Sequence, residues 1–400
     1  MFNISSLFPK KKVSLFILNP FIRSRMTNNL NSNYKPLFYR LNDSNDYEAF
    51  QELLRSNNNI IQYDTIYSQL TELIKLSNPG KRLNKDEMDD LVKDHIKSQD
   101  LSKYGVWVYY PWSNNLVHLL DKEEFIKVRT NRNMYKITPE EIELLKGKKI
   151  GIIGLSVGQS IALTLAMERT IGALHLADFD DIELSNMNRL RVGVQDLGMS
   201  KVIIAARQIA ELDPFIEVTC FTEGLTINNI DKFFRDNGAI DILVEECDGL
   251  EIKVLSRIMA KKHQIPVVMD TNDRGMLDVE RFDLEPSRPI FHGRTKELEN
   301  LTPEELIAKF ADLAVEQKIS FLAQIIGIEN VSTKMKQSLA NMNKTIVGWP
   351  QLASAVTLGG AMVTDTCRRI LLNHFKDSGR YFVDFDELVV ASNNKVNQPS

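Results

Sequence analysis

The turn Gly154-Leu155-Ser156-Val157-Gly158 joins an apolar run of strand length at 149–153 to a segment of helical periodicity at 160–169. Glycines let the backbone turn tightly and admit phosphates, while a helix start supplies free N–H groups and partial positive charge. Asp178 follows Gly158 by 20 residues, at the end of the next strand, where a carboxylate accepts hydrogen bonds from ribose hydroxyls. Alone, this pattern suits NAD, FAD, ATP or S-adenosylmethionine, and a structural turn without ligand reads the same way. It is not a P-loop, because no G-x-x-x-x-G-K-[ST] occurs. The next stretch narrows the chemistry. Asp178-Phe179-Asp180-Asp181-Ile182-Glu183-Leu184-Ser185-Asn186-Met187-Asn188-Arg189 follows the second strand, and Gly198-Met199-Ser200-Lys201 opens a helix. A later buried strand ends in Glu245-Glu246-Cys247-Asp248-Gly249. A dehydrogenase has no use for an Arg, a Lys and an Asp converging on phosphates, whereas a nucleotidyl transferase needs all three. The cations offset charge on the α-phosphate and the departing pyrophosphate, and an Asp holds Mg²⁺ across phosphate oxygens.

The elements that must position these groups alternate. Strands are expected at 149–153, 173–177, 216–221, 240–245 and 266–270, with helices at 160–169, 200–212 and 251–263 between them. This alternation predicts a parallel sheet covered by helices on both faces. Ahead of it, residues 35–128 read as a smaller α+β module. Helical periodicity at 47–54, 65–76 and 85–98 precedes an aromatic hairpin over 106–120 that carries Trp107, Tyr109, Tyr110 and Trp112. These aromatics read as core, with docking of a partner peptide as the sharper alternative. Thr138-Pro139-Glu140-Glu141 and Thr302-Pro303-Glu304-Glu305 are capping boxes. Residues 300–345 read as a helical insertion. The helix at 351–374 is rich in Ala and Gly, which suits close packing against another helix or a second subunit. A last strand is expected at 380–384. Residues 1–34 and 391–400 read as tails, the first flexible.

Of 400 residues, 49 are Lys or Arg and 53 Asp or Glu, giving a net charge of -4. That balance argues against a dedicated nucleic-acid binder, which needs a basic face. The apolar run at 13–18 after Lys10-Lys11-Lys12 is too short for a secretory core or a membrane span. Cys220, Cys247 and Cys367 form no C-x-x-C pair, so no structural zinc is expected. We read a reducing, cytoplasmic setting with no membrane association.

From about 129 to 384 the chain resembles the ThiF/MoeB/ubiquitin-activating superfamily of adenylating enzymes, on D-F-D-x-x-x-x-S-N-x-N-R, the helix-opening lysine and the strand-ending aspartate. The resemblance implies an α/β fold with a Rossmann-like doubly wound sheet of the ThiF adenylation type. It implies nucleotide binding by Gly154, Ser156, Gly158, Asp178 (ribose), Asp180, Asn186, Arg189 and Lys201, with Mg²⁺ on Asp248. Arg129-Thr130-Asn131-Arg132 occupies the place of the family's R-x-x-R, so Arg132 is expected to reach the partner's ATP in a homodimer. The catalytic set would be Arg189, Lys201, Asp248 and Arg132. The reaction implied is attack of a carboxylate, on a peptide or carrier protein, on the α-phosphate of MgATP. Alternatives are a small-molecule or tRNA-linked carboxylate, an NAD-binding redox or sensor protein, and a catalytically silent dimeric scaffold. The chain is most similar to a bacterial subgroup in which a nitroreductase-like module often follows. That module is absent from these 400 residues, so no flavin is expected.

Several residues depart from the family pattern. The glycine loop is one residue shorter than G-x-G-x-x-G, and Ser156 replaces a glycine. Gly249 follows Asp248 where many relatives have Asn, and Asp248 also reads as a helix N-cap. No cysteine lies where a transthiolation cysteine is expected, so a thioester intermediate is not. The charged stretch Asp270-Thr271-Asn272-Asp273-Arg274 suggests a substrate other than a Gly-Gly tail, with Arg274 and Asp273 near its carboxylate or the adenylate. A loop salt bridge among Asp270, Asp273 and Arg274 is the alternative. His292 reads as a turn histidine with a structural hydrogen bond.

Overall fold

The computed structural model describes residues 33–311, 313–342 and 344–390. The tail at 391–400, and 1–32 of the N-terminal one with its Lys-rich run, lie outside the described residues.

The N-terminal part is built on a four-stranded sheet of β1 (Leu37–Tyr39), β2 (Ile61–Asp64), β3 (Val106–Tyr110) and β4 (Asn115–Leu119), in the order β1-β3-β4-β2. The hairpin β3–β4 pairs antiparallel, Val108 opposite Val117, and Trp107, Tyr109 and Tyr110 are buried in it. Helices α1 (Ser44–Ser56), α2 (Ile66–Ser77) and α3 (Lys85–His95) accompany the sheet. Strands β1 and β2 were not expected. β1 is three residues long, and all four β2 residues are exposed, so no alternation marks them. Helices α4 (Lys122–Arg129) and α5 (Pro139–Leu145) lead to the larger sheet, α5 opening on the expected box: Thr138 Oγ1 accepts from the Glu141 N–H at 3.3 Å, and the Glu141 carboxylate from the Thr138 N–H at 2.8 Å.

That sheet has seven strands: β5 (Lys149–Ile153), β6 (Ala173–Ala177), β7 (Glu217–Phe221), β8 (Ile242–Glu245), β9 (Val267–Thr271), β10 (Met276–Glu280) and β11 (Gly379–Phe382), in the order β11-β10-β9-β8-β5-β6-β7. From β7 to β9 all neighbours are parallel; β10 pairs antiparallel with both β9 and β11. The wholly parallel expectation is therefore corrected at one edge. Gly275, at φ +53, turns the chain from β9 straight back into β10, a strand that the sequence reading did not expect. One face is packed by α6 (Gly158–Glu168), α7 (Lys201–Leu212) and α13 (Ala353–Leu371), the other by α8 (Ile230–Arg235), α9 (Leu250–Lys262) and α10 (Pro303–Ala311). Helices α11 (Val315–Ile326) and α12 (Thr333–Asn341) complete the expected helical insertion. The small residues of α13 pack inside this chain. A Cβ at Gly360 would fall 2.4 Å from Ser160 Oγ on α6, and one at Gly359 2.0 Å from the Asp270 carboxylate on β9. No helix among the described residues is long and apolar enough to cross a membrane.

Candidate active site

Strand order reverses beside β5: the chain moves one way to β6 and β7 and the other to β8 and β9. In open α/β sheets the crevice beyond the strand C-termini at such a point binds ligands. The expected residues gather there. Gly154 adopts φ +85, and a Cβ on it would lie 2.6 Å from the Glu246 carbonyl oxygen, so only glycine lets the β5 turn pack on the chain leaving β8. The helix α6 begins at Gly158 with no side-chain cap; the Gly158 and Ser160 N–H groups donate to the Gly154 and Val157 carbonyls at 3.1 and 3.0 Å, and the helix start still presents partial positive charge to an anion. Replacing Gly154 with alanine is expected to weaken ATP binding more than tenfold and to cost about 1–3 kcal/mol of stability, read by calorimetry and thermal unfolding.

The shortened loop is tied from both sides. The Leu155 N–H donates to Asp178 Oδ2 at 2.6 Å, and the Asp180 N–H to Asp178 Oδ1 at 2.8 Å. Burial raises the Asp178 pKa, and those two N–H groups oppose the rise. Ser156 fills the place of the family's glycine with a contact of its own: its Oγ accepts from Arg189 Nε at 3.1 Å and Nη2 at 2.7 Å. Arg189 also donates to Asn188 Oδ1 at 2.9 Å. Lys201 is buried at the start of α7 and pairs with Asp180 at 2.7 Å. Asn186 is buried, and its Oδ1 accepts from the Glu183 N–H at 3.0 Å, shaping the turn that carries Arg189.

Asp248 sits exposed at the rim of the crevice. It is not a helix cap, because Gly249 takes that position on α9 and no side-chain capping bond forms. The crevice walls desolvate the Asp248 carboxyl and, with Glu245, raise its pKa, while Lys253, Arg189 and Lys201 pull it back. Among the described residues no cluster of three or more His, Cys, Asp or Glu could hold a metal. A single hard carboxylate does suit Mg²⁺ delivered on phosphates, which keeps waters and needs one or two protein oxygens. Burial, then Glu245, push the Cys247 thiol well above its usual range, and burial pushes Cys220 up to about 12; neither is a poised thiolate.

Arg274 and Asp273 find partners outside the phosphate turn, while His292 takes its expected role. Arg274 does not face the crevice. Its Nε pairs with Asp384 at 2.8 Å, it also pairs with Glu387, and its guanidinium lies 5.4 Å from the Phe382 ring centroid. The salt bridge among Asp270, Asp273 and Arg274 does not form, because Asp273 instead accepts from Ser332, N–H at 2.8 Å and Oγ at 2.6 Å. His292 donates or accepts between Asp278 at 2.9 Å and Arg288 at 2.7 Å, the structural role expected of it. Arg132 lies on an exposed turn, Asn131–Asn133, whose neighbours Arg129 and Asn133 grip the carbonyls of Ala166 and Glu168 in the last turn of α6. The phosphate loop is at the first turn, about 15 Å away along the helix.

Sequence reasoning missed a carboxyl pair. Glu246 and Asp270 leave neighbouring strands on the same face, and Glu246 Oε1 accepts from the Asp270 N–H at 2.8 Å. Both Asp270 oxygens are buried without a hydrogen-bond partner. Burial pushes the Asp270 pKa up to about 7. An unfolded aspartate ionises near 4, so between pH 4 and 7 folding takes up a proton and stability falls as pH rises. Asp270→Asn removes this dependence. It is expected to gain roughly 1–3 kcal/mol over the parent at pH 8 and little at pH 4. Thermal unfolding at both pH values checks this; an equal gap at the two refutes it.

A switch-point crevice at the C-terminal ends of a mostly parallel sheet, with helices on both faces, defines a Rossmann-like α/β protein. Residues 129–389 match the ThiF family, and the chain belongs to it. It is 42% identical over 293 residues to the uncharacterized protein MT1398 of Mycobacterium tuberculosis, covering 73% of this chain and 39% of that protein. The chain thus matches about two fifths of that relative's length. It is 23% identical over 253 residues to the tRNA threonylcarbamoyladenosine dehydratase of Bacillus subtilis, covering 62% of this chain and 98% of that one. The solved Escherichia coli tRNA N6-threonylcarbamoyladenosine dehydratase TcdA, in complex with ATP, aligns at a TM-score of 0.45 and 16% identity, covering 64% of this chain and 98% of that one.

Proposed function

We propose that this protein activates a carboxylate by transferring AMP to it from ATP, and that the acid is the C-terminus of a peptide or carrier protein. A carboxylate oxygen forms a bond to the α-phosphorus as the bond from that phosphorus to the α,β-bridging oxygen breaks. Pyrophosphate leaves with the electron pair. The observation that carries this reading is the Ser156–Arg189 contact beside the uncapped start of α6, with Lys201 and Asp248 facing the same crevice. Arg189 and Lys201 stabilise charge where it develops, and Ser156 orients Arg189. Asp178 fixes the loop and retains lone pairs for ribose hydroxyls. No general base is needed, because the acid is ionised at neutral pH. Bound Mg²⁺ would add charge neutralisation, and Asp248 is the residue to hold it. Arg132 sits too far along α6 for its own nucleotide and serves the partner's in a homodimer.

The Bacillus relative's name favours a second reading, a tRNA-linked carboxylate. The net charge of -4 weighs against it. ATP–pyrophosphate exchange, screened over peptides, small acids and tRNA, separates the readings. Exchange with an acid, dependent on Mg²⁺, is expected. Tighter binding of NAD than ATP, or no exchange with any acid, removes the proposal.

A further inference from the structure

Asn188 stands exposed at the end of the turn Leu184–Asn188, between the phosphate site and the segment that links α12 to α13. Its side chain makes two bonds of opposite kind. Oδ1 accepts from Arg189 Nη1 at 2.9 Å, and Nδ2 donates to the Gln351 carbonyl oxygen at 2.7 Å. An arginine only donates and a carbonyl only accepts, so a single orientation of the amide serves both partners. What Asn188 holds is a wall of the crevice. Trp349, Pro350 and Gln351 line a cavity of about 150 Å³ that Val157 of the phosphate turn and Asp248 also line. Little else ties that wall down. Val347 and Leu352 are 96% and 69% exposed, and among the described residues no other side chain hydrogen-bonds 347–352. At the other end of the bridge, every nitrogen of the Arg189 guanidinium has an acceptor: Nε and Nη2 on Ser156 Oγ, Nη1 on Asn188. A phosphate oxygen carries charge and outcompetes a neutral amide oxygen for the same N–H. Once Nη1 turns to phosphate, Asn188 Oδ1 loses the donor that fixed its amide, and the grip on Gln351 weakens.

We propose that Asn188 is a positioning residue that couples nucleotide binding to acid access: phosphate on Arg189 releases its hold on Gln351 and frees the 347–352 wall. This rests on the adenylation reading above and adds an order to it, ATP before acid. Coupling is reciprocal, so the Asn188 bridge opposes ATP as far as ATP opposes the bridge.

The test uses the full chain with α,β-methylene-ATP and Mg²⁺, and needs no acid. Acrylamide quenching of Trp349 reports the wall, taken as the difference between the parent and Trp349→Phe, since Trp107 and Trp112 belong to the N-terminal hairpin. The analogue is expected to raise the Trp349 quenching constant at least about twofold. In Asn188→Ala that constant is high from the start, and the analogue binds about three- to fivefold tighter by calorimetry, because a competing acceptor for Arg189 is gone. Mere bracing of Arg189 by Asn188 gives the opposite sign, weaker binding. Asn188→Asp keeps the acceptor and loses the donor, so it frees Trp349 yet binds the analogue more weakly. Analogue binding that leaves Trp349 quenching unchanged, or weaker binding by Asn188→Ala, overturns this inference and leaves adenylation in place. A parent that does not bind the analogue overturns both.

Discussion

Replacing Arg189 with alanine lowers pyrophosphate exchange about 100- to 1000-fold, the usual cost of one preorganised donor aimed at developing charge. The side chain reaches Ser156 Oγ through both Nε and Nη2, at 3.1 and 2.7 Å, so its fork is oriented before nucleotide arrives. Lysine cannot reproduce that geometry, and Arg189→Lys recovers little. Arg189 is half-buried and burial lowers its pKa against the pull of Asp248, so removing it also leaves Asp248 less compensated. Ser156→Ala frees the fork while keeping the charge, and a loss of about tenfold is expected from it. Thermal unfolding of each variant should stay within a few degrees of the parent, because Ser156 and Arg189 meet at a solvated rim rather than in the core. Asp248→Asn should lower exchange strongly and raise the Mg²⁺ concentration that half-saturates what remains. Exchange that survives in both Arg189→Ala and Asp248→Asn would sink the site assignment.

What the sequence made legible was the local chemistry. The glycine turn, the D-F-D-x-x-x-x-S-N-x-N-R stretch and Lys201 lie within 50 residues, and the strand–helix alternation fixes where each ends. Arg189 and Ser156 are 33 residues apart, yet each occupies a defined place in a βαβ unit. Long-range pairings were not legible. Arg274 meets Asp384 across 110 residues because β10 and β11 run antiparallel, and nothing in the charge pattern of 270–274 encodes that edge. The Glu246–Asp270 pair arises because β8 and β9 end level on one face. The signal was present, since each strand runs into an acid, but only the register makes them neighbours. Likewise the small residues of α13 announce close packing without naming its partner, and Ser160 and Asp270 turn out to fill that role.

Replacing Arg257 with methionine costs about 3–5 kcal/mol, the largest stability loss expected from any single charge here. The guanidinium is fully buried, lies 3.3 Å from Asp278, also pairs with Glu280, stands 3.8 Å from Glu245, and stacks over Phe291 at 4.4 Å. Around it three buried carboxyls meet three cations: Lys253 holds Glu245 at 2.9 Å and Arg380 holds Asp278 at 2.6 Å. Without Arg257 one negative charge has no counterpart, which is worse than an apolar core of the same volume. Burial alone would raise the Asp278 carboxyl, but Arg257, His292 and Arg380 outweigh it and hold it well below the usual range. Its contribution is therefore complete above about pH 4, where an unfolded aspartate is ionised, and is lost as pH falls below that. Acid unfolding of the parent should show this loss, and Asp278→Asn should flatten it. The network also bears on catalysis, because Glu245 is the last residue of β8 and three residues later the chain presents Asp248. Arg257→Met should therefore lower exchange beyond what its unfolded fraction explains, measured at a temperature where the variant is folded. A urea midpoint unchanged from the parent would show that the cluster is solvated and that the Asp248 arm is positioned by other contacts.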